Sequence, residues 1–99
     1  MADLTRAGLD RGDLEKELEH TLVSVRMLHR SYTVIVEDLT QEELLHDLQE
    51  YKDQLERTVM PLVRRAESSQ QKRLVDLAYE LRYTYEKILR LIEERLDTS

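Results

Sequence analysis

The chain has 99 residues, which is room for one domain. It is 40% hydrophobic and 36% charged, too apolar for a disordered tail and too charged for a membrane span, and no apolar run approaches the ~20 residues a bilayer requires. A formal net charge of −6 repels a phosphate backbone, so nucleic acid is not an expected partner, and the lack of Cys excludes disulfides, thiolate metal ligands and a thiol nucleophile.

The opening stretch, MADLTRAGLDRGD, is polar and mixed in charge, without the apolar core of a signal peptide. Both glycines, Gly8 and Gly12, fall within it. Residues 1–12 are expected to form a flexible segment ahead of one helical domain over 13–97. The expected location is intracellular, cytoplasmic or nuclear, with no membrane insertion. Arg11-Gly12-Asp13 spells the adhesion tripeptide of integrin ligands, which works on an extended extracellular loop. Asp13 is better read as the N-cap of the first helix, with Glu15 and Glu17 favouring its positive end.

The first helix is expected over about 13–38. Leu14, Leu18, Thr21, Val25, Leu28, Tyr32, Ile35 and Leu39 alternate spacings of four and three, a heptad seam with Thr21 as its one polar member. YTVIVE (32–37) is β-branched, but the register passes through it and it reads as helix. Thr40 and Glu43 form the capping box of a second helix over 41–67, with Leu44, Leu48, Tyr51, Leu55, Val59, Leu62 and Ala66 inward. Its spacing slips by one residue just before Pro61, which lacks a backbone donor and clashes with the Arg57 carbonyl, so a kink or break is expected near 57–61. Ser68 with Gln71 fits another capping box, opening a third helix over 69–96 with Leu74, Ala78, Leu81, Tyr85, Ile88 and Ile92 inward. Leu22, Val36, Leu45, Val75, Leu77, Leu89 and Leu91 broaden the stripes beyond a two-stranded coil.

The expected fold is all-α: an antiparallel three-helix bundle with coiled-coil-like heptad packing, possible completion coming from oligomerisation. Val23, Met27 and Val34 fall outside the first seam and make that helix apolar nearly all round. A three-helix bundle cannot cover every face of one helix. A second copy, a partner chain or the N-terminal segment is expected to cover this one, with Met60 and Val63 adding to the surface. Tyr79 and Tyr83, four residues apart and near Arg82, Lys87 and Arg90, form a second candidate contact surface.

Glu17-x-x-His20 and Glu43-x-x-His46 are each a fragment of the di-iron carboxylate pattern of four-helix bundles. Both fall outside the seams and open different helices, at opposite ends of an antiparallel pair. No metal ligand and no cofactor are expected. His29, beside the seam, reads as a boundary residue that could make association pH-sensitive. RRAESS (64–69) is a weak basophilic-kinase pattern that would put phosphate on Ser68 or Ser69 at a helix start. With three His, no Cys, no Gly-rich phosphate loop and Ser only in turns or on polar faces, no enzyme is expected. The expected role is a protein-protein interaction module, a small helical-bundle or coiled-coil subunit or adaptor docking onto itself or a partner. The alternatives are a bundle with a metal or small-ligand site, and an acidic binder of basic peptides through the first and second helices.

Overall fold

A computed structural model describes the backbone of residues 2–98 and the side chains of residues 12–98. All regular structure is helical, with no strand among the described residues. The elements are α1 (Ala2–Ile35), a 3-10 turn (Val36–Asp38), α2 (Gln41–Gln54), a π turn (Leu55–Val59), α3 (Met60–Ser69) and α4 (Lys72–Thr98). The stretch from α2 through the π turn to α3 forms one continuous rod, so three helices pack together in a body of 58 × 20 × 20 Å.

Cross-helix contacts fix the directions. Arg73 meets Glu15 and Glu19, Arg26 meets Glu80, and Arg95 meets Glu37, so α1 and α4 run parallel. Tyr32 meets Asp47, and Arg65 meets Glu17, so the middle rod runs antiparallel to α1. This is the up-down-up order that short connections dictate. α4 packs along both other rods, whereas α1 meets the middle rod mainly through side chains.

The core joins Leu14, Leu18, Leu22, Val25, Tyr32 and Val36 of the first rod to Leu44, Val59, Leu62, Val63 and Ala66 of the second. α4 contributes Leu74, Ala78, Leu81, Tyr85, Ile88 and Ile92. Two members of the expected first seam are displaced. Leu22 is buried where Thr21 was expected to point inward, and Val36 is buried while Ile35 is exposed. A straight helix of 3.6 residues per turn drifts ~20° per heptad against a strict 3.5 repeat, so the three heptads from Leu14 to Ile35 move the inward line by ~60°, more than half of the ~100° step that separates Ile35 from Val36.

α1 starts at Ala2, not at Asp13. Asp13 lies in the helix interior and is not its cap, and the expected flexible segment is helical backbone from Ala2 onward. Nothing lies within 4 Å of where a Gly12 Cβ would stand, so this glycine answers to no close approach. A helical Arg11-Gly12-Asp13 is not the extended loop that an adhesion ligand presents.

The start of α2 is as expected. Thr40 accepts from the Glu43 backbone N–H at 3.1 Å while the Glu43 carboxylate accepts from the Thr40 N–H at 2.9 Å. The slip before Pro61 appears as the π turn, in which the Met60 N–H bonds to the Leu55 carbonyl. One extra residue in the turn absorbs the irregular spacing and shifts the Arg57 carbonyl that a proline four residues on would strike. Val63, expected on the outer surface, is core, and Met60 is partly buried against it.

The last connection differs from the expected capping box. Ser68 lies inside α3, and α3 ends at Gln70 in the left-handed region with φ 56°. Ser69 Oγ donates to the Ala66 carbonyl at 2.5 Å and accepts from the Gln71 N–H at 3.2 Å. The final helix therefore begins at Lys72, three residues later than expected.

Candidate interaction surface

Val23, Met27 and Val34 are 55, 62 and 75% exposed. At 100° per residue they fall within about 40° of one another, on the side of α1 opposite its core line. Arg30 shares that ridge. Because Ala2–Asp13 continues the same helix, that segment does not fold back over it.

Tyr79 and Tyr83 are also exposed, on the outer side of α4. They are not brought together with the α1 ridge into one patch. Tyr79 leans toward α3: its hydroxyl donates to Glu67 at 2.6 Å, and the Arg82 guanidinium sits 4.9 Å from its ring centre. The Glu67 bond holds its hydroxyl pKa above the ordinary value. Tyr83 leans toward α1, with the Lys87 ammonium 5.1 Å from its ring centre. Tyr85, expected in the core, is there, its hydroxyl donating to Gln54 Oε1 at 3.0 Å.

Between the ridge and Tyr83 runs a groove of about 430 Å³, lined by Arg26, His29, Arg30 and Thr33 of α1 and by Glu80, Tyr83, Thr84 and Lys87 of α4. It continues past His29 and Lys87 to Arg90, Leu91 and Glu94. Arg26 is paired with Glu80. Arg30, Lys87 and Arg90 have no ion-pair partner among the described residues. Burial, and then the Lys87 charge beside it, hold the His29 imidazole below its ordinary pKa of 6.5. The sequence reading missed this groove. Its signal was the pair of i, i+4 and i, i+3 cation spacings, Arg26/Arg30 and Lys87/Arg90, which converge only because α1 and α4 are parallel.

The acidic residues divide differently from the cations. Glu15 and Glu19 both bond Arg73 at 2.9 Å, and Glu17 faces Arg65 at 3.4 Å, so these acids of α1 are engaged within the bundle. The two carboxylates raise the pKa of Arg73. On the outward side of α2 stand Glu42, His46, Glu50 and Asp53, with exposed Leu45 at the edge of the same face.

The two Glu-x-x-His pairs stay apart. Glu17 lies beside Arg65 of α3, whereas Glu43 is bound in the Thr40 cap. A different trio, His46, Asp47 and Glu50, has its donor atoms within 4.8 Å of one another. All three sit on one turn of α2, His46 and Glu50 are exposed, and Asp47 already accepts the Tyr32 hydroxyl. No protein-family model, curated protein or solved structure matches the chain. No described helix is long and apolar enough to cross a membrane.

Proposed function

We propose that the protein is a non-enzymatic interaction module, a small helical-bundle subunit that docks through helix faces onto itself or a partner chain. The observation that carries this reading is the uncovered ridge of Val23, Met27 and Val34. Three apolar side chains in line on one exposed helix face form a contact stripe, whereas apolar residues scattered singly over a surface need no explanation. On the far wall of the neighbouring groove, Tyr83 carries Lys87 over its ring, a separate aromatic-cation pairing of the kind found where proteins meet.

Replacing Val23 and Met27 together with Glu tests the reading. Both side chains are exposed, so helicity by circular dichroism should not change while association is lost. Association unaffected by the pair of substitutions would place the interface elsewhere.

A second reading, a bound divalent metal, is favoured by the His46, Asp47 and Glu50 trio alone. One turn of one exposed helix supplies donors on a single side, whereas protein metal sites surround the ion with ligands from several elements. Stoichiometric metal that survives purification and is lost in His46→Ala would support this reading over the first.

A further inference from the structure

The uncovered ridge and the cationic groove border each other, and together they define what fits against them. We infer that the α1/α4 groove docks the acidic outer face of α2 from a second copy of this chain. The inference rests on the reading of the ridge as a docking surface and names its occupant.

Charge complementarity is the first support. The chain carries a net charge of −6, yet Arg30, Lys87 and Arg90 gather along one groove without a carboxylate in ion-pair reach. The two acids that line the groove do not cancel them: Glu80 is taken by Arg26, and Glu94 stands at the far end beyond Leu91. Opposite-sign surface is available on the same molecule. Glu42, Glu50 and Asp53 face outward from α2, and no Lys or Arg among the described residues pairs with them. Glu15, Glu17 and Glu19 of α1 are already engaged, paired with Arg73 and Arg65 along the bundle surface.

Shape and length agree with charge. From Glu80 to Glu94 the groove wall on α4 runs about 21 Å, and the acidic row from Glu42 to Asp53 runs about 16 Å, at 1.5 Å per residue. A helix laid along the groove meets Arg30, Lys87 and Arg90 with the middle of its acidic row, between Glu80 and Glu94 at the ends of the wall. Exposed Leu45 lies beside that row, as the Val23–Met27–Val34 ridge lies beside the groove, so apolar surface lands on apolar surface. An amphipathic helix in a groove is a recurrent docking mode, and acid-to-base complementarity sets its orientation.

The two surfaces lie on opposite sides of the bundle. The groove is lined by α1 and α4 only, and α2 presents its acidic row away from both. Each copy therefore offers a groove on one side and an acidic row on the other. Contacts of that heterologous kind do not close within a pair, so the assembly grows beyond a dimer as concentration rises.

The test is solution mass by light scattering over a concentration series at low and high salt. The parent should exceed a dimer at low salt and shrink toward the monomer at high salt, because the contact is between exposed charges. Arg30→Glu with Arg90→Glu should reduce association at least tenfold, as should Glu42→Lys with Glu50→Lys. The four-fold variant carrying both reversals should recover it, since the complementarity is rebuilt with the signs exchanged. In the parent, the His29 ring signals in NMR should shift on association. All positions changed are exposed, and circular dichroism checks that each variant is folded. Association that Val23→Glu with Met27→Glu abolishes, but that ignores both charge reversals, overturns the groove assignment and leaves the ridge as the docking surface. A parent that stays monomeric at every concentration overturns self-docking altogether. Loss in both reversals without recovery in the four-fold variant also overturns the pairing of these two faces.

Discussion

The buried Tyr32 ring of α1 sends its hydroxyl to the Asp47 carboxylate of α2 at 2.7 Å, and its edge meets the Tyr51 ring with centres 5.9 Å apart. This contact joins the two rods whose backbones approach least closely, and it places a phenol where ionisation is costly. Burial first, and then the Asp47 bond, push the Tyr32 pKa above its ordinary value of 10.0; burial raises Tyr51 and Tyr85 in the same direction. The folded state therefore holds these protons more tightly than the unfolded chain. That stability is fully present below pH 10 and is lost as pH rises through the higher folded values. Urea denaturation across the alkaline range should show stability falling above about pH 10, where the free phenol titrates. Tyr32→Phe should lower stability near neutrality by about 1.5–3 kcal/mol, for a hydrogen bond to a charged acceptor, and should flatten the alkaline decline.

Gly12 reports on whether α1 runs unbroken through the tripeptide that sequence reading placed at its edge. An added Cβ meets nothing within 4 Å, and glycine inside a helix costs roughly 0.5–1 kcal/mol relative to alanine. Gly12→Ala should therefore raise helicity and, where the turn is coupled to the bundle, raise stability by up to about that amount. No change in ellipticity would mean that the helix does not pass through residue 12.

The reciprocal cap at the start of α2 should be visible in acid. The Thr40 backbone N–H, then its hydroxyl, hold the Glu43 pKa below its ordinary 4.5. A carboxylate with a depressed folded pKa contributes stability above its unfolded value and loses it as pH falls through the folded one. Thr40→Ala should cost about 1 kcal/mol at neutral pH, the usual loss for such a cap. The penalty should shrink as pH falls below the ordinary 4.5 and on through the lower folded value, where Glu43 of the parent takes up its proton. Thermal melts from neutral pH into acid measure both effects.

The π turn at Leu55–Val59 makes a prediction about deletions. Such a turn is an α-helix with one residue inserted. Deleting exposed Glu56 should convert it to regular helix and leave Leu44, Val59 and Leu62 in register. Pro61 would then stand in a helix interior, at a cost of about 3 kcal/mol, so the deletion should be well tolerated only with Pro61→Ala. Deleting exposed Glu50 from regular α2 rotates everything before it by about 100° against the core, and it should unfold the bundle. Equal damage from the two deletions would contradict the turn's role as a register spacer.

Much of this fold was legible because its signals are local. The Thr40–Glu43 cap, the slip before Pro61 and the inward set of Leu74, Ala78, Leu81, Tyr85, Ile88 and Ile92 each depend on residues within a few positions of one another. The misreadings share a cause too. Asp13 and Ser68 are good capping types, but a cap forms only where the backbone leaves the helix, and here it leaves at Gln70 and not at either. Ile35 and Val36 exchanged places because drift accumulates over the length of α1, which a short window of heptads conceals. On the candidate surface, the exposure of Val23, Met27, Val34, Tyr79 and Tyr83 followed from periodicity. The groove beside them did not, since Arg30 and Lys87 are distant in sequence and meet only through the parallel packing of α1 on α4.

The most direct test of the central claim, that the uncovered side of α1 is a docking surface, is the solution mass of the unmodified protein across a range of concentrations. Self-docking predicts a mass above the 11.8 kDa of one chain that rises with concentration and returns to 11.8 kDa in the Val23→Glu, Met27→Glu protein. A mass of 11.8 kDa at every concentration would contradict self-docking, and an assembly that both substitutions leave intact would contradict the assignment of this face as the docking surface.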